Sequence, residues 1–112
     1  MLPKENRLKK NKDFKKVFKD GKGFKEDFLV LKKAKNNLEI SRFGFAVSKT
    51  FFKKATLRNK IKRRLREAVR IRLNEIKKGI DAAIIAGPGL ETKDFREIKE
   101  IVNKLFKKAK II

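Results

Sequence analysis

The sequence predicts an α+β fold in which helices cover one mixed β-sheet, an α-β sandwich formed by a single domain over residues 1–112. Three observations lead to this prediction. Apolar residues recur at helical spacing in three segments. Three other segments have strand character. In the middle of the chain a strand, a long helix and a strand follow one another, which favours one sheet with helices packed on it. The predicted order is helix, strand, strand, helix, strand, helix.

The first half of the chain is predicted to form one short helix and two strands. A helix is predicted over residues 11–20, where Asn11 can cap its start and Gly21 can end it. Residues 24–33 have strand character around a central apolar run, and residues 41–48 form the second strand candidate. The connecting turns are placed at residues 21–23 and 35–37.

The second half of the chain is predicted to add a long helix, a buried strand and a last helix. The long helix begins at Ala55 or Thr56 and runs to Lys78, where Gly79 ends it. Residues 80–86 are nearly all apolar, as expected for a strand that is buried on both faces. The last helix, capped by Thr92, has an apolar stripe of Phe95, Ile98, Ile101, Val102, Leu105 and Phe106.

Residues 58–72 contain the strongest functional signal in the chain. Eight of these fifteen residues are Lys or Arg. On a helical wheel, apolar residues around Ile61 occupy one side and a row of basic residues occupies the other. Like charges four residues apart destabilise one another, so the row Lys62, Arg66 and Arg70 is costly in water and a polyanion would remove that cost. The alternative interpretation is an ordinary solvated basic face.

The composition favours a nucleic acid or an anionic surface as partner. The chain has 34 basic and 13 acidic residues, a net charge of +21 at pH 7, yet 40% of its residues are apolar and ten are Phe. It is therefore expected to fold and to carry a strong positive field. It has no His, Cys, Tyr or Trp, which excludes the usual nucleophilic constellations and zinc sites. We expect neither a catalytic residue nor a metal ligand in this chain.

A membrane location is not expected. The longest apolar runs, near residues 43–47 and 80–88, are far shorter than the roughly 20 residues that a membrane span needs. No apolar stretch follows the first residues, so no secretory signal is predicted. Without cysteine there is no disulfide framework, and the expected compartment is the cytoplasm.

Phe14 and Phe18 are four residues apart on the first predicted helix and allow two interpretations. They can form its core face, or they can stack on single-stranded bases beside the basic surface. In the first strand, alternation places Phe28, Val30 and Lys32 on one face. The sequence does not decide whether this face or the opposite one continues such a groove. The opposite face carries Leu29, Leu31 and Lys33.

Three further residues, at two places in the chain, have local roles that the sequence leaves open. Gly44 lies inside the second predicted strand, which indicates a close backbone approach or a bulge. Phe51 and Phe52 lie in the basic loop that follows, where they can stack on RNA or fill an edge of the core. The sequence favours neither role.

Two blocks of the chain resemble a known family. Residues 6–21 (NRLKKNKDFKKVFKDG) resemble the N-terminal signature of the bacterial ribonuclease P protein subunit. Residues 42–49 (RFGFAVSK), followed by residues 55–67 (ATLRNKIKRRLRE), resemble its central block with the Arg-Asn-Arg element. The final strand and helix also fit, so the resemblance covers nearly the whole chain.

This resemblance implies the protein subunit of an RNA-dependent endoribonuclease that removes the 5′ leader from precursor tRNA. A large RNA would carry the catalysis with bound Mg²⁺, while the protein would bind this ribonuclease P RNA and hold the leader. No obligate protein partner is evident. The family fold also implies a left-handed strand-helix-strand crossover, whereas most such crossovers are right-handed. The residues expected to bind the ribonuclease P RNA are Ser48, Lys49, Arg58, Asn59, Lys60, Lys62, Arg63, Arg66 and Arg70. The residues expected to bind the leader are Phe14, Phe18, Val30 and Lys32.

The chain departs from the family pattern at three places. Lys60 replaces the usual last Arg of the Arg-Asn-Arg element, which keeps the charge but loses the planar fork. Residues 51–54 stand where the family usually has a glycine, and Lys32 replaces an aromatic residue that some members carry.

Two other functions compete with this interpretation, a ribosomal or general RNA-binding protein and a DNA-binding helix protein. The ribonuclease P subunit and a general RNA-binding protein both predict an RNA affinity that falls steeply with salt. Only the ribonuclease P subunit predicts that the assembled complex binds precursor tRNA more tightly than mature tRNA. The DNA-binding function fits the basic helix but not the two blocks together.

Overall fold

The structure, a computed structural model, describes residues 2–112, and this part of the chain has the predicted α+β class, with three helices and one four-stranded mixed sheet. The helices are α1 (Asn11–Asp20), α2 (Ala55–Arg72) and α3 (Phe95–Lys108). The strands are β1 (Lys22–Glu26), β2 (Leu29–Lys35), β3 (Arg42–Val47) and β4 (Ile80–Ala86). Short 3₁₀ turns occur at Lys4–Asn6, Leu73–Glu75 and Leu90–Thr92.

The sheet has the strand order β1-β2-β4-β3. β2 pairs antiparallel with both β1 and β4, whereas β3 pairs parallel with β4. Because parallel neighbours need a crossover connection, α2 crosses between β3 and β4. The left-handed sense of this crossover stays a prediction. On the outer edge of β3, Arg7 pairs with Phe43, and the Leu8 N–H donates to the Phe43 carbonyl oxygen at 2.8 Å.

The predicted single strand over residues 24–33 is wrong, because this segment is a hairpin formed by β1 and β2. Asp27 turns the chain with a φ of 45°. A left-handed backbone is uncommon outside glycine, although aspartate tolerates it better than most residues. The turn contains neither glycine nor proline, so the usual hairpin signals are missing. The predicted turn at residues 21–23 is wrong as well, since Lys22 and Gly23 belong to β1.

The end of the long helix also differs from the prediction. α2 ends at Arg72 and not at Lys78. The reason is tertiary, since Ile76 turns back into the core, where only 8% of it is exposed. The Lys77 N–H then donates to the Ile111 carbonyl oxygen at 2.8 Å instead of continuing a helix.

Two predicted helix caps are wrong. Asp94, and not Thr92, caps α3 through a capping box with Glu97. The Glu97 N–H donates to the Asp94 carboxylate at 2.9 Å, and the Asp94 N–H donates to the Glu97 carboxylate at 3.2 Å. Asn11 is the first helical residue of α1 and not its cap, because Lys10 occupies the capping position.

The sheet separates two layers of packing. On one face, α2 and α3 cover the main core, to which Leu31 contributes a fully buried side chain. On the other face, α1 packs through the buried Val17 onto Ala83 of β4. Strand alternation places Val30 and Lys32 on the α1 face of the sheet, opposite to Leu31. The structure therefore answers the question of the strand face that the sequence left open.

A charged network fixes α1 on the sheet. Arg42 donates to both carboxylate oxygens of Asp81 at 2.8 and 2.7 Å, and this hydrogen-bonded pairing raises the pKa of its guanidinium. Asn36 donates to the same carboxylate at 2.9 Å. The third guanidinium nitrogen of Arg42, Nη1, lies 3.6 Å from the carboxylate of Asp13 in α1. Since Asp81 is only 5% exposed, the network anchors the N-terminal turn of α1 at one end of the sheet.

Candidate nucleic-acid interface

The α1 face of the sheet is only partly covered, and the open part forms a groove. Its floor is a row of paired residues, Ala46 of β3, Ile85 of β4 and Val30 of β2, and each is half-buried. The neighbouring row contains Gly44 and Ala83, both of them buried, and lies under α1. The groove therefore has an apolar floor and α1 as one wall.

Phe14 and Phe18 belong to that wall. Their ring centroids are 6.3 Å apart, with planes 22° from parallel. Phe14 lies directly over Gly44, since a Cβ built on that glycine would be 2.1 Å from the ring. Phe18 is 37% exposed, and the Lys32 ammonium lies 5.8 Å from the centroid of its ring. The structure thus brings the four predicted leader-binding residues onto one face, with Val30 on the floor beside Lys32.

The prediction that Phe28 shares this face is wrong. Phe28 lies in the turn between β1 and β2 and packs against the main core on the opposite side of the sheet. The ammonium of Lys93 is 5.4 Å from its ring centroid. Strand alternation does not apply to Phe28, because the left-handed Asp27 precedes it in the turn.

α2 presents the predicted basic surface beside the groove. Its apolar side is buried in the main core, including Ile61 and Leu65. On the other side, Asn59, Lys60 and Arg63 are exposed. The amphipathic pattern of this helix is therefore confirmed.

Two predicted RNA-binding arginines of α2 have intramolecular partners. Arg58 donates from Nη1 to the carbonyl oxygens of Phe52 and Lys53, at 2.8 and 2.9 Å, and so fastens the preceding loop to the helix. Arg70 forms an exposed ion pair with Glu67. The hydrogen bond from Arg70 holds the pKa of the Glu67 carboxyl below its usual value. An RNA phosphate at Arg70 would have to compete with this carboxylate.

Lys62 and Arg66 of α2 lie close to Phe14 of α1, near the outer edge of β3. With Phe14, they line a depression of about 350 Å³ that also includes Arg7 and Lys9. Phe14 thus belongs both to the wall of the groove and to the depression that basic residues of α2 line. The two predicted surfaces meet at this depression.

The loop between β3 and α2 separates the two phenylalanines that the sequence left undecided. The Phe52 N–H donates to the Ser48 carbonyl oxygen at 2.9 Å, which closes a tight turn. Phe52 is 1% exposed and belongs to the main core, whereas Phe51 is 55% exposed. Ser48 and Lys49 lie on the exposed side of the same loop. An exposed aromatic ring therefore lies among lysines at the start of α2.

Comparison with known proteins decides the family. The ribonuclease P family model matches residues 2–110. A ribonuclease P protein component of Clostridium botulinum is 39% identical over 109 residues, which cover 96% of this chain and 97% of that protein. A ribonuclease P protein component of Fusobacterium nucleatum is 38% identical over 111 residues, which cover 96% of this chain and 99% of that protein.

The chain belongs to the ribonuclease P protein family.

Solved structures of ribonuclease P proteins agree with the fold. A mutant RNase P protein of Staphylococcus aureus superposes with a TM-score of 0.90 at 31% identity, covering 97% of this chain and 92% of that chain. The RNase P protein of Thermotoga maritima superposes with a TM-score of 0.83 at 36% identity, covering 91% and 96%. The family resemblance seen in the two sequence blocks is thereby confirmed for the whole fold.

Sequence reasoning missed two residues of this ribonuclease P family surface and left a third undecided. Arg7 and Lys9 line the depression beside Phe14, because the N-terminal segment pairs with the edge of β3. That pairing joins Arg7 to Phe43, so no local spacing could indicate it. Phe51 is the undecided residue, and its exposed ring differs from the buried ring of Phe52, whose N–H donates to the Ser48 carbonyl oxygen.

Residues 2–112 of this ribonuclease P family member contain neither a metal-binding cluster nor a membrane-spanning helix. No group of three or more Asp, Glu, His or Cys residues in that range is arranged to hold a metal ion. In the same range, no helix combines the length and the apolar character that crossing a membrane requires.

Proposed function

We propose that this chain is the protein subunit of ribonuclease P, which binds the ribonuclease P RNA through α2 and holds the 5′ leader of precursor tRNA in the groove beside α1. The observation that supports this best is that the two surfaces adjoin. The apolar groove and the basic face of α2 meet where Phe14 and Arg66 line one depression. An RNA bound on α2 and a single strand in the groove could therefore occupy the protein together.

The contacts proposed for the ribonuclease P RNA are electrostatic and directional. Arginine makes bidentate contacts with phosphate, and exposed lysines add charge without that geometry. Asn59 can donate to, or accept from, a 2′-hydroxyl or a base edge. Ser48 and Lys49 extend this surface from the helix to the end of β3. Lys60 contributes charge where the family usually has arginine.

The contacts proposed for the leader depend on stacking. A single-stranded base stacked on an aromatic side chain contributes about 1–3 kcal/mol. Phe18 suits this role because its ring is partly exposed and flanked by the Lys32 ammonium. Val30 gives the floor an apolar contact for a base face, and Lys32 can pair with a leader phosphate.

The chemistry of leader removal is assigned to the RNA subunit and its bound Mg²⁺. On this proposal the protein binds and orients the substrate, and none of its side chains acts as a catalytic group. The RNA would supply the bond cleavage, while the positive field of the protein lowers the repulsion between the two RNAs.

Leader removal in a reconstituted system tests this proposal. Cleavage of a precursor tRNA by the cognate ribonuclease P RNA is measured at low Mg²⁺ with and without the protein, and with the protein alone. We expect strong stimulation that requires the RNA, and tighter binding of precursor than of mature tRNA by the complex. Tight RNA binding without stimulation or leader preference would instead indicate a general RNA-binding protein.

A further inference from the structure

A second cluster of lysines lies at the other end of the sheet from the start of α2. The lysines surround a broad depression of about 590 Å³, with a floor that includes Ala34 and Ile80. The depression lies where β2 ends and β4 begins, whereas Ser48 follows the opposite end of β3. The seven residues of β4 separate the two ends by roughly 20 Å. The lysines that line the depression are Lys33, Lys35, Lys77, Lys78 and Lys110.

The charge in this depression is concentrated and of one sign. Within residues 2–112, its lining contains five lysines and no Asp or Glu. Lys33 shows the effect, since its pKa is lowered, first by burial and then by the charges of Lys77, Lys22 and Lys110. Its Nζ donates to the Ala109 carbonyl oxygen at 2.6 Å, at the C-terminal end of α3.

The backbone holds these lysines in place. The Lys77 N–H donates to the carbonyl oxygen of Ile111, which is fully buried, and the Asn36 N–H donates to the Gly79 carbonyl oxygen at 3.0 Å. Of the five left-handed residues in the described part of the chain, three line the depression. One of them is Lys110, at a φ of 58°, a strained conformation for a residue other than glycine. The left-handed residues of the lining are Asn37, Gly79 and Lys110.

We infer that this depression is a second phosphate-binding surface, which takes the RNA backbone independently of α2 and the groove. A phosphate would remove the mutual repulsion of lysines that the fold holds together. The broad shape suits a backbone that passes across the surface. This inference rests on the proposed RNA-binding function and extends the contact of the protein with RNA to both ends of the sheet.

The salt dependence of RNA affinity tests this inference. The variant Lys35→Gln/Lys78→Gln removes two exposed charges of the depression. The matched control Lys99→Gln/Lys104→Gln removes two exposed charges from α3, where carboxylates such as Glu100 lie nearby. Affinities are measured for the ribonuclease P RNA and, with the assembled complex, for precursor tRNA.

We expect the first variant to reduce the slope of log affinity against log salt by about 2 for one of the two RNAs. The control should change that slope by less than half as much. If the two variants have equal slopes of log affinity against log salt with both RNAs, the inference of a second phosphate-binding surface is wrong. Leader removal by the wild-type protein is measured in parallel. Stimulation with equal slopes would reject only this inference, whereas a lack of stimulation would reject the proposed function and this inference with it.

Chemical protection provides a second readout that does not depend on slopes. The chain has no cysteine, so Lys78→Cys introduces a single thiol at the depression and Lys104→Cys a single thiol on α3. Bound RNA should slow maleimide labelling at position 78 at least about threefold more than at position 104, as expected for a contact that excludes solvent. Equal slowing at the two positions would contradict a bound backbone in the depression.

Discussion

Gly44 and Phe14 show how one missing side chain shapes the groove. The ring of Phe14 occupies the space that a Cβ at Gly44 would need, at 2.1 Å from the ring atom Cζ. Because Gly44 lies in β3, it lets α1 approach the sheet closely while the next row remains open as a floor. The glycine in the sequence indicated a close approach, and the approaching group is an aromatic ring and not a backbone.

We predict that Gly44→Ala destabilises the protein by about 1–3 kcal/mol, because the added methyl group forces Phe14 out of position. The displaced ring should also weaken precursor binding by the complex. Urea unfolding measures the first effect. Gly23→Ala is the control, since the nearest atoms to its Cβ are Lys32 carbons at 3.9 Å. Equal losses from both substitutions would show that the ring contact does not matter.

The two neighbouring phenylalanines of the basic loop should respond in opposite ways to truncation. Phe52→Ala should destabilise the protein by about 3–5 kcal/mol, because it leaves a cavity in the core. Phe51→Ala should change the free energy of unfolding by less than about 0.5 kcal/mol. It should instead weaken binding of the ribonuclease P RNA, by up to about 1–3 kcal/mol if a base stacks there. Unchanged RNA affinity in Phe51→Ala would contradict a stacking contact between Phe51 and the RNA.

α1 lies across the sheet with its two aromatic rings in different surroundings. Phe18 faces Lys32 over the groove, whereas Phe14 also lines the depression shared with Lys62 and Arg66. The family resemblance assigns both rings to a leader site, apart from the RNA-binding residues of the basic helix. In the structure, Phe18 lies at the groove only, whereas Phe14 lies in the groove wall and also lines the depression.

We therefore predict different patterns for substitutions in α1 and α2. Phe18→Ala should weaken precursor binding by about 1–3 kcal/mol without changing assembly. Arg63→Ala should weaken assembly with the ribonuclease P RNA, while Phe14→Ala and Arg66→Ala should affect both. Dissociation constants for the RNA and for precursor tRNA distinguish these patterns. The arrangement is wrong if all four variants lose both affinities equally.

An exposed ion pair connects β1 to α3 and should give the stability a dependence on pH. Lys108 contacts the Glu26 carboxylate at 2.8 Å, and this hydrogen bond holds the pKa of Glu26 below its ordinary value of 4.5. The contribution is present above that ordinary pKa and is lost as pH falls through the lower, folded-state pKa. The free energy of unfolding, measured in urea at a pH above and a pH below the folded-state pKa, should change less for Glu26→Gln than for wild type. Identical changes would show that the pair does not affect stability.

The elements differ in how well the sequence predicts them. The apolar stripe of α3, the run at residues 80–86 and the basic helix are local patterns, and the structure confirms them. The β1-β2 hairpin was missed because Asp27 makes its turn without glycine. The end of α2 was misplaced because Ile76 is drawn into the core by contacts distant in sequence. The junction at Phe14 depends on the pairing of Arg7 with β3, which no spacing reveals.

Taken as a whole, the molecule carries a net charge of +21 on 112 residues, with basic surfaces at both ends of its sheet. Repulsion among 34 basic residues opposes the compact state, and only 13 acidic residues offset it. Anions that bind the folded state should therefore stabilise it by mass action.

We predict that adding monovalent salt raises the free energy of unfolding, because screening weakens the net repulsion more than it weakens the few exposed ion pairs. Unfolding by urea at increasing salt measures this. The variant Lys35→Gln/Lys78→Gln should gain less from salt than wild type, since two of the repelling charges are gone. A stability that falls with added salt would contradict this account.

The position of β4 has a consequence for synthesis of the protein. This strand lies between β2 and β3, yet it is the last of the four to leave the ribosome. Until residue 86 has emerged, β3 has no strand neighbour and the nascent α2 has no completed sheet to pack on. The basic helix can thus be held in its final orientation only when most of the chain has been translated. Competence to assemble with RNA arises late, as one of the last events in the making of the polypeptide.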